Sequence, residues 1–220
     1  MSLFDEQPFA PVPDRPSLKS LREAIPECRA CELWADATQV VMGEGQRGAR
    51  LMLVGEQPGD REDIEGHPFV GPAGRVLDRA LAEAGVRRED AYLTNAVKHF
   101  KWQPRGKRRI HQRPNGSEIR ACRPWLEGEV AAIRPRALVV LGAVAGESLF
   151  GSRFRVGEHR GQAEELAVGG WQGLVISTIH PSAVLRAPDR DAREQAYRGF
   201  VADLATARRA AGRVNDSREP

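Results

Sequence analysis

RLMLVGEQPG, residues Arg50–Gly59, decides the fold. Its apolar residues run without alternation into a glycine. A half-exposed strand alternates, whereas a strand covered on both faces reads as a continuous apolar run. Arg50–Gly55 is therefore read as a buried parallel strand, and GEQPG, Gly55–Gly59, as the turn leaving it. Downstream, Pro72–Gly85 carries Val76, Leu77, Ala80, Leu81 and Ala84 on one face, opens with proline and ends with glycine, as a helix does. The strand signal returns at Ala91–Val97, Ala137–Gly142 and Leu174–Ile179. Helices are expected over Ser17–Ile25, Ser117–Ile133, Ala143–Phe150 and Asp191–Ala211. This alternation predicts an α/β fold: a single domain with a central parallel four-stranded sheet and helices on both faces. The domain spans 17–212, after a disordered N-terminal arm at 1–16 and before a tail at 213–220.

Ligands of such sheets sit beyond the carboxyl ends of the strands. GEQPG, Asn95 with the residues after it, and HPS (His180–Ser182) all begin there, so three polar motifs should share one cleft. The 220 residues suffice to bury roughly 70% of the unfolded surface. With 41% apolar and 29% charged residues the chain is an ordinary folded, soluble one. No run approaches a membrane span, and the proline-rich start MSLFDEQPFAPVPDRP lacks the apolar stretch of a signal peptide. A cytoplasmic monomer with reduced thiols is expected.

Charge is concentrated in one place. Lys101–Arg113, KWQPRGKRRIHQR, holds six Lys and Arg and no carboxylate, against a whole-chain net charge of +3. Such a loop usually contacts phosphates. It also holds His111, which the residues alone favour reading as incidental to a phosphate-contacting loop. The three cysteines, an odd number, argue against a disulfide framework. Cys28-x2-Cys31 is a chelating pair that suits zinc, a redox dithiol or an iron–sulfur cluster. Cys122 adds a third thiolate and His99 is the candidate fourth ligand; together His99 and Cys122 would pin the basic loop at its two bases.

Cys28-x2-Cys31, GEQPGDREDIEGHPFVGPAGR (Gly55–Arg75), TNAVKH (Thr94–His99) and HPSAVLR (His180–Arg186) occur in this order over nearly the whole folded region. Together they resemble the family-4 uracil-DNA glycosylases. That resemblance implies a [4Fe-4S] cluster on Cys28, Cys31, His99 and Cys122, with structural zinc as the alternative. Family members use four cysteines; here His99 takes the third position, and the loop before Cys122 is longer. Both departures, with KRRIH at Lys107–His111, are similar to the X-type (UdgX) subgroup, which forms a covalent adduct with uracil-containing DNA.

The resemblance implies that Phe69 stacks on a flipped uracil, Asn95 reads its edge, and Gly55, Gln57 and Asp60 line the pocket. His180 would hold the uracil O2 as negative charge develops. Arg186 would fill the stack beside the flipped nucleotide. Lys107, Arg108 and Arg109 would hold the loop on phosphates or on the protein, presenting His111 as nucleophile to the sugar C1′, with Glu56 accepting the second ring proton. The expected partner is uracil-containing DNA, single-stranded by preference. The remaining readings are a multiple-turnover family-4 glycosylase and a non-enzymatic iron–sulfur or zinc nucleic-acid-binding module.

Overall fold

The computed structural model describes residues 10–213. Its centre is a five-stranded sheet. β1 (Leu51–Gly55), β2 (Ala91–Asn95), β5 (Ala137–Leu141) and β7 (Trp171–Thr178) are parallel, and β6 (Ala163–Val168) pairs antiparallel with β7, in the order β2-β1-β5-β7-β6. The four expected parallel strands are present. The fifth is an addition: a partly exposed edge strand returning through Gly169–Gly170, both at positive φ, the hairpin turn that two glycines favour.

Successive residues of β1 and β5 feed opposite faces of the sheet. Leu51, Leu53, Ala137 and Val139 join one core with α4 (Pro72–Glu83) and α9 (Arg190–Arg213). Met52, Val54, Leu138 and Val140 join the other with α5 (Gly116–Ile133) and α6 (Ala143–Phe150). That two-sided burial is why these strands read as unbroken apolar runs. A third cluster packs α1 (Leu18–Ala24) and the segment through α2 (Leu33–Asp36) against α5, and contains Leu21, Cys28, Cys122 and Trp125. Ala10 and Val12 pack against it, so residues 10–16 are not wholly a free arm. Residues 1–9 of the expected arm and 214–220 of the expected tail lie outside the described residues.

Between β2 and α5 the basic loop forms a two-stranded hairpin, β3 (Trp102–Arg105) and β4 (Arg108–His111), pairing Trp102 with His111 and Arg105 with Arg108. The helix after it starts one residue earlier than expected. Asn115, not Ser117, is its N-cap, because Asn115 Oδ1 accepts the Glu118 N–H (3.0 Å) while Glu118 reaches back to the Asn115 N–H (2.7 Å). Among the described residues no helix is long and apolar enough to cross a membrane.

Candidate active site

At the carboxyl end of the sheet lies a cleft of about 770 Å³, lined among others by Glu56, Gln57, Asp60, Phe69, Asn95, His111, His180 and Arg186. The parallel register sets its floor by pairing Gly55 with Asn95. A side chain on Gly55 would collide with Asn95 Oδ1 and Phe69 Cζ, so glycine is what keeps this pocket open. Phe69 is buried at a φ of 59°, in the left-handed region that bulky residues avoid. Its carbonyl occupies the space a side chain on Gly74 would need, which locks that conformation onto the start of α4. The Phe69 ring stacks on His180 with centroids 6.4 Å apart.

His180 caps α8 (Pro181–Leu185). Its Nδ1 accepts the Ser182 backbone N–H at 3.2 Å and lies 2.7 Å from Ser182 Oγ, which in turn accepts from Arg186 Nη1 at 2.9 Å. Burial, reinforced by the Arg186 guanidinium and by the nearby His111 ring, lowers the His180 pKa to about 4. The ring is therefore neutral at pH 7. With Nδ1 accepting a main-chain N–H, its proton sits on Nε2, available as a donor.

His111 Nε2 lies 3.5 Å from Glu56 Oε1. Nearly half of the histidine side chain is open, at 47%, against 24% for the glutamate. Partial burial and Arg186 lower the His111 pKa, opposed by the residue's own main chain. The neutral ring carries one proton and one lone pair, and its Nε2 edge stands in the cleft beside Glu56. Burial raises the Glu56 pKa, with Arg113 and Arg186 opposing it.

The hairpin is tied down at its root and along one edge. Gln57 spans its base: Nε2 donates to Lys101 O (3.1 Å) and Gln112 O (3.0 Å), and Oε1 accepts the Lys101 N–H (3.1 Å). Although Gln57 lines the cleft as expected, its amide is committed to the hairpin. Arg109 turns inward. Nε donates to Asp60 Oδ1 (2.6 Å), and Nη1 to the fully buried Asp63 (2.5 Å) and Thr38 Oγ1 (3.0 Å), while the guanidinium lies over Phe100 and Trp102. Lys101 pairs with Glu118 and Arg113 with Glu147. Three of the loop's six cations, Lys101, Arg109 and Arg113, thus hold it on the protein. Arg105, Lys107 and Arg108, exposed at the tip, have no carboxylate partner among the described residues.

The four candidate metal ligands lie apart from the cleft. Cys28, Cys122 and His99 are buried and Cys31 half-buried, and all three cysteines are free thiols. Burial pushes the Cys122 thiol up to about 12, with Cys31 and Cys28 adding to it. Burial likewise raises Cys31. Burial and Arg29 bring His99 down to about 4, so its imidazole is neutral, the form that ligates. Cys28 Sγ accepts from Trp125 Nε1 (3.1 Å) and Cys122 Sγ from the Lys98 N–H (3.2 Å). Among the described residues no three His, Cys, Asp or Glu side chains are grouped to hold one metal ion. A tetrahedral zinc would draw its sulfurs to about 3.8 Å from one another, whereas an iron–sulfur cluster binds each ligand at a different iron. Three thiols with a neutral imidazole are a donor set that suits such a cluster.

Sequence reading passed over several cleft residues. Ser182 lies inside the quoted HPS and orients His180; Leu185, 43% exposed, stands at the cleft mouth beside Arg186. Glu62, in the α3 turn (Asp60–Glu65), accepts the Gly71 N–H. Only Ser182 had a local signal, an N-terminal helix residue beside a histidine.

A strand-end pocket closed by an aromatic ring, an amide and a neutral imidazole is suited to holding one planar, polar ring. The family model of the uracil DNA glycosylase superfamily matches residues 42–205. The type-4 uracil-DNA glycosylase of Pyrobaculum aerophilum is 38% identical over 193 residues, covering 86% of this chain and 91% of its own length. That of Thermotoga maritima is 39% identical, covering 77% and 83%. A type-5 uracil-DNA glycosylase of Pyrobaculum aerophilum is 34% identical over 148 residues, covering 59% and 61%. The chain belongs to the uracil-DNA glycosylase superfamily, in its type-4 family.

Proposed function

We propose that this protein excises uracil from DNA and then remains joined to the sugar through His111, as in the X-type subgroup. The observation that carries the reading is the placement of His111 Nε2, 3.5 Å from Glu56 Oε1 and in one cleft with Asn95, Phe69 and His180. Phe69 stacks on the extruded base and Asn95 pairs with its edge, which offsets the unstacking. As the C1′–N1 bond breaks, its electron pair leaves with uracil, and His180 Nε2–H stabilises the charge growing on O2. The Nε2 lone pair of His111 attacks C1′. Glu56 serves that step by accepting the Nε2 proton as Nδ1 takes one from solvent, which frees the attacking lone pair. The new imidazolium releases its Nδ1 proton to solvent.

The logic is that of a retaining glycosidase, whose enzyme group attacks the anomeric carbon. A glycosyl carboxylate is hydrolysed in such enzymes, but a neutral imidazole bonded through nitrogen is a poor leaving group. The adduct therefore persists and each molecule turns over once. Arg105, Lys107 and Arg108 contact backbone phosphates, and Arg186 stands beside the flipped nucleotide. The partner is uracil-containing DNA, single-stranded by preference, bound by a monomer.

Cys28, Cys31, His99 and Cys122 hold a [4Fe-4S] cluster, a reading supported by the resemblance of these motifs to the family-4 enzymes. It is supported too by Cys31 and Cys28 standing near enough to add to burial in raising the Cys122 pKa, with a neutral His99; structural zinc is the alternative. When bound, the cluster supplies a rigid cross-link between the Cys28–Cys31 segment and α5. Iron and sulfide in a 1:1 ratio with broad visible absorbance are expected; colourless protein with stoichiometric zinc would refute the assignment.

The deciding test of the function is incubation with uracil-containing single-stranded DNA. The parent chain should give an SDS- and heat-resistant shifted band, and His111→Ser should not. Free uracil in excess over protein, with no shifted band, would point instead to a multiple-turnover type-4 enzyme. Salt-sensitive DNA binding with no uracil released would leave a non-enzymatic module.

A further inference from the structure

Three residues beyond Asn95, a lysine is buried where lysines are rarely found. Lys98 is 1% exposed, and its ammonium donates to Asn95 O (2.7 Å), Thr94 Oγ1 (2.7 Å) and Glu129 Oε2 (2.5 Å). Those three acceptors match its three protons. Glu129, on α5 and equally buried, accepts in addition the Thr94 hydroxyl (2.8 Å), the Tyr92 hydroxyl (2.9 Å) and the Gly43 N–H (2.8 Å). Stability alone does not account for such a pair. A buried ion pair can often be replaced by apolar residues of similar volume without loss.

Its surroundings point to a different role. Lys98 grips the carbonyl of Asn95, the residue whose amide faces the pocket. The next two main-chain groups run to β1 and the turn after it: the Ala96 N–H donates to Gly55 O (2.9 Å) and the Val97 N–H to Glu56 O (3.0 Å). The Lys98 N–H itself donates to Cys122 Sγ on α5. The turn 95–98 is thus held from the cleft side by Gly55 and Glu56, and from beneath by Lys98 and Glu129.

We infer that Lys98 and Glu129 are positioning residues for base recognition: they fix how deep the Asn95 amide sits in the pocket and, through Val97, where Glu56 stands. The inference rests on the uracil-excising function proposed above. A reader displaced by about 1 Å loses on the order of 100-fold in rate.

The test compares the parent chain with Lys98→Met/Glu129→Leu, which removes both charges together and leaves neither orphaned. Leu204→Ala, a cavity beneath α9 on the other face of the sheet, serves as the stability control. Three quantities are read: the single-turnover rate of uracil release well below Tm; the affinity for an oligonucleotide carrying uncleavable 2′-fluoro-2′-deoxyuridine relative to one carrying thymidine; and Tm. In the double variant, release should fall on the order of 100-fold and the affinity ratio at least about tenfold, with thymidine-DNA affinity unchanged. Leu204→Ala should lower Tm and leave both other readings alone. Release at the parent rate in a folded double variant overturns the inference, as do losses that follow Tm equally in both proteins. Should the double variant fail to fold, Lys98→Met/Glu129→Gln, which also removes both charges and keeps an amide for Tyr92, Thr94 and Gly43, carries the same comparison. A parent chain that neither releases uracil nor prefers the fluorinated nucleotide overturns the underlying function, and the inference with it.

Discussion

Gly55 and Glu56 are adjacent, yet one matters by having no side chain and the other, in the proposed mechanism, by the proton it takes. A methyl group at Gly55 would strike both Asn95 Oδ1 and the Phe69 ring. Gly55→Ala should therefore cut single-turnover uracil release on the order of 100-fold while Tm changes little, checked by rapid-quench release and thermal melting. Glu56→Ala should slow adduct formation, measured as the rate of the SDS-resistant band; an unchanged rate would remove Glu56 from the mechanism. Because the His111 pKa is lowered, the neutral ring persists below the ordinary imidazole value of about 6.5. Adduct formation should thus be flat through neutral pH and fall only below that value, whereas an unshifted imidazole would already lose rate near pH 6.5. At this scale the motifs GEQPG, TNAVKH and HPS were enough to say which residues would share one cleft. The sequence was not readable for Gln57 and Arg109, whose partners lie 44 or more positions away, nor for Lys98, whose burial depends on Glu129, 31 residues on.

At the scale of elements, the hairpin β3–β4 is the feature that charge alone described least well. Like charges stand opposite one another along it, Arg105 facing Arg108, so its pairing needs outside support. Arg109 supplies that support from its buried side. Arg109→Ala would leave Asp63, fully buried, with only the Thr38 N–H bonds among the described residues. A loss of about 3 kcal/mol is expected from the orphaned charge, read by denaturant melts, together with a slower adduct rate. Lys107→Ala and Arg108→Ala, at the exposed tip, should leave stability unchanged and reduce the salt dependence of DNA binding by up to one unit of slope each. The cap of α5 teaches a related lesson: Ser117 and Asn115 both suit an N-cap, and the choice turned on Glu118 standing three residues after Asn115.

For the molecule as a whole, four parallel strands were legible because burial on both faces writes itself as an apolar run. The fifth, AEELAV, is exposed along one side and carries two glutamates, so its only clear mark was the Gly169–Gly170 turn beyond it. Whole-molecule stability should also report the buried imidazoles. With a folded pKa of about 4 against about 6.5 unfolded, His180 takes up its proton more readily in the unfolded chain between those values. Stability is therefore retained above pH 6.5 and declines as pH falls toward 4; Tm measured at pH 7 and pH 5 checks this, and His180→Gln should reduce the difference. Finally, the two strands carrying His111 leave and re-enter the fold at nearly one point, where Lys101 O and the Gln112 N–H meet at 2.9 Å under the Gln57 amide. A segment so closed could vary at its tip without pulling on β2 or α5, but it could not be removed whole, since Arg109 neutralises the buried Asp63 and Lys101 pairs with Glu118 on α5. The proposed nucleophile thus sits on a hairpin with a free tip and a base riveted to the pocket wall.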